Sequence, residues 1–338
     1  MSATTQEQFA DFFDKDALRV PEPIYKLESG GLRYYYDFDE DGAPRFQPSV
    51  TTLISKVLPT SPHLMKWAAQ MGWEQAEAYK MERARYGTIM HILIKLFLLG
   101  NDIDLDAPLY EPLAETGYFN DGAPNTATPD ELNKWEHELK KDLLAFAQFR
   151  IDYDVKPLAI EMPLISHKIG VGGCLDMPCT MRVPIKGAFG SKLKTGKNKG
   201  KKKVITIRRK MRALVDFKSG RNGFYQSSEA QLHIYRALWN EKHPNMKINR
   251  VFNWSPKDWR NEPGYNLKDQ TQSSIAEQLP LLLKLGAMQF RQQSKSIAIF
   301  SGVLGLNSQP GKLFKRCQLS EFVQNEILLN TINQQHEA

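Results

Sequence analysis

Between Ile185 and Arg212 the chain carries twelve Lys or Arg and not one Asp or Glu. Such a run cannot enter a core, because charged side chains are almost never buried without partners. On either side lie β-prone segments, Val171–Val183 before it and Lys203–Lys218 after it, the latter polar at first and apolar at Ala213-Leu214-Val215. The chain is therefore expected to go out along one strand and return along the next, with the basic residues at the long tip of a hairpin. The stretch GSKLKTGKNKGKKK is rich in Gly, Lys and Ser/Thr, so its composition predicts a flexible, solvated tip. Of 45 Lys and Arg, twelve sit here, and the rest of the chain carries 33 against 38 Asp and Glu. The net +7 is thus one local device on a slightly acidic body. A polyanion site, a localisation address and a solvated loop without a partner would all look like this.

The 338 residues give room for one large domain or two ordinary ones. With 41% hydrophobic and 25% charged residues, a mainly disordered, collagenous or disulfide-framework chain is excluded. Three cysteines, Cys174, Cys179 and Cys317, form no CxxC pair, which excludes a zinc ribbon or an all-cysteine iron–sulfur cluster. No apolar run approaches the roughly 20 residues of a membrane helix, and MSATTQEQFADFFDKD lacks a secretory layout. An intracellular, cytoplasmic protein with no membrane partner is the expectation.

Residues 24–48 read as a short β region with turns at Ser29-Gly30-Gly31 and Asp41-Gly42. Ser49 caps a short helix that Pro59 and Pro62 end, and helices are predicted over about 63–82 and 84–99. An acidic loop covers 100–127. Thr128, Pro129 and Glu131 then open a helix running to about Tyr153. Strands follow at Lys156–His167, Val171–Val183 and Lys203–Lys218, a helix at about 228–243, a strand at Ile248–Trp254, and helices near 270–293 and 319–335. This order is a mixed α/β domain with helical additions, not a doubly wound βαβ series.

The third strand ends in VDFKSG. Asp216 and Lys218 leave one face of it and Phe217 the other. The preceding strand, GVGGCLDMP, brings Asp176. Two carboxylates on neighbouring antiparallel strands can share a hard divalent cation, and a lysine beside it can hold a water or steady charge on a phosphate. In RYGTIMHILI, Gly87 and His91 share a helix face, with Gly87 permitting close approach. In EAQLHIYRAL, Gln231 and Tyr235 do the same. A structural salt bridge, a structural histidine and a surface Gln/Tyr pair are the plainer readings of each motif taken singly.

The ordered set G-T-x-x-H, G-G-x-x-D, D-F-K-S-G and Q-x-x-x-Y resembles the RecB-like branch of the PD-(D/E)XK nuclease superfamily, across roughly residues 48–255. PSVTTLISKVLPTSPHLMKWA ahead of it is similar to phage-type and mitochondrial genome maintenance exonucleases. The resemblance implies a restriction-endonuclease-like core of helix, three antiparallel strands, helix and strand over 49–255. A β-rich extension would occupy 1–48 and a helical one 256–338. It implies His91, Asp176, Asp216 and the Phe217 carbonyl as ligands of Mg²⁺ or Mn²⁺, with Lys218 catalytic. Glu161 matches a recurrent acidic position, and Gln231 and Tyr235 would support the site and touch nucleic acid. The basic insertion is not a usual part of that core. It is expected to lie beside the site, where Lys201, Lys202, Lys203, Arg208 and Arg209 would grip the substrate backbone.

The implied activity is metal-dependent hydrolysis of DNA from free ends, in recombination, repair or replication, leaving a 5′-phosphate. The aromatic residues Trp67, Trp73, Tyr79 and Tyr86 read first as core, but exposed ones near the site would stack unpaired bases and favour single strands. No helicase phosphate-binding loop occurs, so any unwinding motor or recombination partner would be a separate protein. Rival readings are an endonuclease of the same superfamily and a nucleic-acid-binding module that no longer cuts.

Overall fold

The computed structural model of the protein describes residues 23–29, 31–40, 44–119, 126–187, 190–197, 199–221, 224–292, 297–300, 309–312 and 314–317. The helix expected at 319–335 lies outside them. The architecture is mixed α/β, in two compact units interleaved along the chain. One unit comprises Ser61–Met162 with Leu175–Ser273. The other takes the described parts of Pro21–Thr60, Pro163–Cys174 and Ser274–Ala338. No helix among the described residues is long and apolar enough to cross a membrane.

The second unit holds a meander, β1 (Tyr25–Ser29), β2 (Leu32–Phe38) and β3 (Pro44–Pro48). Ser49 then starts α1 (Val50–Val57), its hydroxyl accepting from the Thr52 N–H as the sequence predicts. The strand expected over Lys156–His167 is two short pieces, β4 (Lys156–Pro157) and β5 (Met162–Ser166). Between them the backbone turns at Glu161, which takes φ 47°. The strand from Val171 is likewise divided at Asp176 into β6 (Val171–Leu175) and β7 (Met177–Gly187), with β5 and β6 forming a sheet of their own.

The first unit carries the site. Its helices α2 (Pro62–Met71) and α3 (Trp73–Leu98) divide at Gly72, not near residue 83. Gly72 takes φ 91°, which only glycine adopts at little cost. The described residues of the acidic segment after α3 hold one short helix, α4 (Tyr110–Ala114). Helix α5 (Pro129–Asp152) starts with the reciprocal Thr128–Glu131 cap. The sheet runs β10-β9-β8-β7-β4, with β8 (Ile205–Phe217), β9 (Arg250–Pro256) and β10 (Tyr265–Asp269). β4–β7 and β7–β8 are antiparallel, and β9 runs parallel to β8 after the crossover helix α6 (Gln226–Lys242). β10, unforeseen in the sequence, extends this edge. Odd-numbered side chains of β7 and β8, from Met177 to Val183 and from Ala213 to Phe217, pack with Phe146, Phe149 and Trp254 in the core. Helix α7 (Ser274–Gln292) and the hairpin β11 (Ile297–Phe300) and β12 (Phe314–Cys317) belong to the second unit.

The basic segment is more regular than its composition predicts. β7 and β8 pair without a slip from Met177↔Val215 out to Gly187↔Ile205. Backbone bonds continue to the tip, from Gly190 N–H to Lys203 C=O and from Leu193 N–H to Lys201 C=O. Gly190 makes this approach possible, since a Cβ there would stand 2.8 Å from Lys203 Cβ. Along β8, Ile205 and Asp216 are eleven positions apart, about 36 Å at ~3.3 Å per residue.

Candidate metal centre

Four segments of the first unit converge where β7 begins and β8 ends. Helix α3 supplies His91, the turn after β4 supplies Glu161, the junction before β7 supplies Asp176, and β8 supplies Asp216 with Lys218 just beyond it. His91 Nδ1 lies 3.1 Å from Glu161 Oε1 and 4.0 Å from Asp176 Oδ1, while Nε2 lies 3.3 Å from the Phe217 carbonyl. One donor atom from each of His91, Glu161 and Asp176 falls within 4.8 Å of the others. The left-handed backbone at Glu161 is costly for a residue with a Cβ. Its N–H donates to the Asp176 carbonyl at 2.8 Å, which fixes that turn against the strand carrying the second carboxylate.

Asp176 and Asp216 are 7% and 1% exposed. Asp176 Oδ2 accepts the Phe217 N–H at 2.6 Å, tying the two carboxylate segments together. Asp216 Oδ2 is held by Lys218 Nζ at 2.7 Å and by Asn253 Nδ2 at 2.8 Å. Its other oxygen, Oδ1, is buried with no hydrogen-bond partner among the described residues. Lys218 Nζ also donates to Gln231 Oε1 at 3.1 Å, and Gln231 Nε2 donates to the Tyr235 hydroxyl at 3.1 Å. The Gln/Tyr pair of α6 therefore acts on Lys218.

The charges are strongly interdependent. Burial, and then the Asp216 and Glu161 carboxylates, push Asp176 up to about 7 against the pull of His91 and Lys218. Burial works against a charged His91, but Asp176 and Glu161 outweigh it and hold the imidazolium up to about 9. Lys218 is likewise raised, burial being outweighed by Asp216 and Asp176.

A cleft of about 540 Å³ opens onto His91, Glu161 and Lys218, with Arg83 and Lys95 on its α3 side. At Gly87 a Cβ would stand 3.2 Å from Ser219 Oγ, so the glycine lets α3 approach the segment after Lys218. Arg221 anchors that segment, donating at 2.8 Å to both Glu138 and Asp142 of α5. Of the four aromatics, Tyr86 is fully buried with its hydroxyl on Asp142, whereas Trp73 and Tyr79 are 71% and 48% exposed. Trp67 is half-buried, with its ring 5.7 Å from that of Tyr79.

The structure thus brings together His91, Glu161, Asp176, Asp216, Phe217, Lys218, Gln231 and Tyr235. It leaves Lys201, Lys202, Lys203, Arg208 and Arg209 at the far part of the hairpin. Sequence reasoning missed Asn253, whose carboxamide oxygen accepts from Gln270 while its nitrogen serves Asp216. An amide within the apolar strand VFNW was the available signal. It also missed Arg221, five positions beyond Asp216. A comparison with models of protein families and with curated proteins finds no match.

Proposed function

We propose that the protein is a divalent-metal-dependent deoxyribonuclease with a RecB-like PD-(D/E)XK core, degrading DNA from free ends and preferring single strands. The observation that carries this reading is Asp216 Oδ1, a buried carboxylate oxygen without a partner, next to the His91, Glu161 and Asp176 donors and the Lys218 ammonium. Buried polar atoms are rarely left unpaired, so a carboxylate oxygen of this kind beside further donors suits a cation. Carboxylate and carbonyl oxygens with a single imidazole suit Mg²⁺ or Mn²⁺. The order α3, β4–β7–β8, α6, β9 agrees with the core that the motifs imply.

Asp176, Asp216, His91 and the Phe217 carbonyl would hold the ion, with Glu161 orienting His91 through Nδ1. The ion supplies Lewis-acid polarisation of the phosphate and a lower pKa for a coordinated water. Lys218 remains protonated between two carboxylates and stabilises charge that develops on the phosphate oxygens. Gln231 keeps the Lys218 ammonium aimed, and Tyr235 keeps Gln231 aimed. Arg83 and Lys95 offer positive charge to neighbouring phosphates along the cleft. Exposed Trp73 and Tyr79 on the same helix can stack unpaired bases, typically for ~1–3 kcal/mol each.

The test is degradation of end-labelled linear single strands, duplex and closed circles in Mg²⁺ or Mn²⁺. Linear strands should be lost and circles spared. Asp216→Ala and Lys218→Ala should each cut on the order of 10³-fold more slowly while remaining folded. Undiminished cleavage by either purified variant overturns the site. Cut circles would make the protein an endonuclease, and metal-dependent binding without cleavage a module that only holds nucleic acid.

A further inference from the structure

We infer that the outer part of the β7–β8 hairpin is a second nucleic-acid contact, which holds the phosphodiester backbone along one face of a two-stranded ribbon. This deepens the reading above and rests on it for the identity of the polyanion. β4 pairs with β7 only at Cys179 and Thr180, and β9 pairs with β8 only from Ala213 onward. Between those limits and the tip, the ribbon has no neighbouring strand among the described residues. Isolated two-stranded ribbons are marginal by themselves. This one also sets Arg182 directly opposite Lys210, a like-charge pairing that works against folding.

The alternation of a strand divides the ribbon's side chains into two sets. Arg182 and Lys186 of β7 share a face with Arg208, Lys210 and Arg212 of β8. The opposite face carries Val183, Ile185, Ile207 and Met211, with Arg209 its one cation. Val183 and Met211 pack into or against the core, so the apolar face is the inner one. Arg182, Lys186, Arg208 and Lys210 are exposed, and Arg209 is exposed on the other face, which makes it the matched control. Asp154 meets Arg182 at 2.9 Å and the Asp152 carbonyl accepts from Arg208, but Ile185–Arg212 itself supplies no carboxylate. Arg208 and Arg209, grouped together in the sequence reading, therefore face opposite ways.

Register ties this face to the site. Asp216 has the same parity on β8 as Lys210 and Arg208, and lies about 20 and 26 Å from them at ~3.3 Å per residue. A strand engaged at Asp216 covers the nearer distance with about six nucleotides at the ~3.4 Å spacing of a duplex strand, and with fewer if it is more extended. Neutralising phosphates on such a track would remove the repulsion between the ribbon's own cations.

The experiment compares the parent with Lys186→Gln/Lys210→Gln, which keeps both the Asp154 and Asp152 contacts. Binding of a labelled single strand of about 30 nucleotides is measured against KCl in chelator, so that no cleavage intervenes. Each cation contributes about 0.7 to the log–log salt slope on single strands, so the double variant should flatten it by about 1.4. With duplex the expected change is about 1.8. Arg209→Gln should leave both slopes where they are. In Mg²⁺ the double variant should cut the long strand more slowly and a trinucleotide at the parent rate. An unchanged slope, or an equal change from Arg209→Gln, overturns the one-sided track. So does a loss of binding confined to anionic vesicles. If the double variant shows the slope change but the parent cuts nothing in either metal, the ribbon assignment stands and the nuclease reading falls.

Discussion

At one end of β7 and β8, Asp176 and Asp216 stand one step beyond the Met177–Val215 pair, almost wholly out of solvent. Toward the other, Arg182 and Lys210 oppose each other in the open. The buried end tolerates its two carboxylates because specific groups answer them: a backbone N–H, an asparagine amide, a lysine and a histidine. The open end meets its cations partly with Asp154 on Arg182 and the Asp152 carbonyl on Arg208, and water and salt screen charge along the ribbon. A charge change at the buried end should therefore register in folding and chemistry, and one at the open end mainly in salt-dependent association.

The largest contrast should come from two arginines that each meet an aspartate. Arg221 is 16% exposed and donates to Asp142, which is 1% exposed and also accepts the Tyr86 hydroxyl at 2.6 Å. Burial raises the Asp142 carboxyl in spite of both partners. Removing the guanidinium would strand that carboxylate, so Arg221→Ala should cost about 3 kcal/mol of stability. Arg182 and Asp154 are about half exposed at a similar 2.9 Å, and Arg182→Ala should cost no more than about 0.5 kcal/mol. Urea unfolding of both variants measures the difference. Equal losses would break the distinction between the two ends.

A smaller effect, of opposite sign, is expected at the centre itself. Asp176→Asn keeps an oxygen to accept the Phe217 N–H but removes one carboxylate from beside Asp216 and Glu161. Because the folded-state pKa of Asp176 lies above its unfolded value, its contribution is fully present below about pH 4. It is lost as pH rises through about 7. The asparagine variant, in chelator, should therefore be more stable than the parent by about 1–2 kcal/mol above pH 7, an advantage that fades in acid. It should also lose metal-dependent cleavage. A lower melting temperature in chelator at pH 8 would show that carboxylate crowding carries no cost there.

The elements with strong local signals were legible in the sequence. Ser49 and Thr128 cap their helices as their spacing demands, and the out-and-back course of the basic hairpin follows from its flanking strands. The motif residues of the site, four segments far apart in sequence, also meet. What was not legible depended on tertiary context. Glu161 looks like one more strand residue in AIEMPL, yet it bends the chain, and nothing local announces a left-handed glutamate. Asn253 reads as an interruption of a strand until Asp216 is beside it. Arg221 gains its meaning from Glu138 and Asp142, some 80 positions earlier. The tip's regularity was hidden because composition reports solvation, whereas register is set by the strands behind it.

Two histidines, His91 half-buried and His233 fully buried, give the finest test of how compensation decides the outcome. His91 has carboxylates beside it and is held up. His233, fully buried on α6, donates from Nε2 to the Gln270 carbonyl at 3.0 Å and is pushed below its ordinary value, by burial first and then by Arg236. Its Nδ1 is buried without a partner among the described residues. A histidine depressed in the folded state is neutral there but takes up a proton when unfolded below about pH 6.5. The unfolded state then binds more protons, and stability falls with pH by at most about 1.4 kcal/mol per unit. His233→Gln can still donate to Gln270 and has nothing to titrate. Its melting temperature should therefore decline less than the parent's between pH 7.5 and 5.5. Parallel declines would mean that His233 is not the group being protonated, and that burial and Arg236 do not outweigh the Glu229 carboxylate at this imidazole.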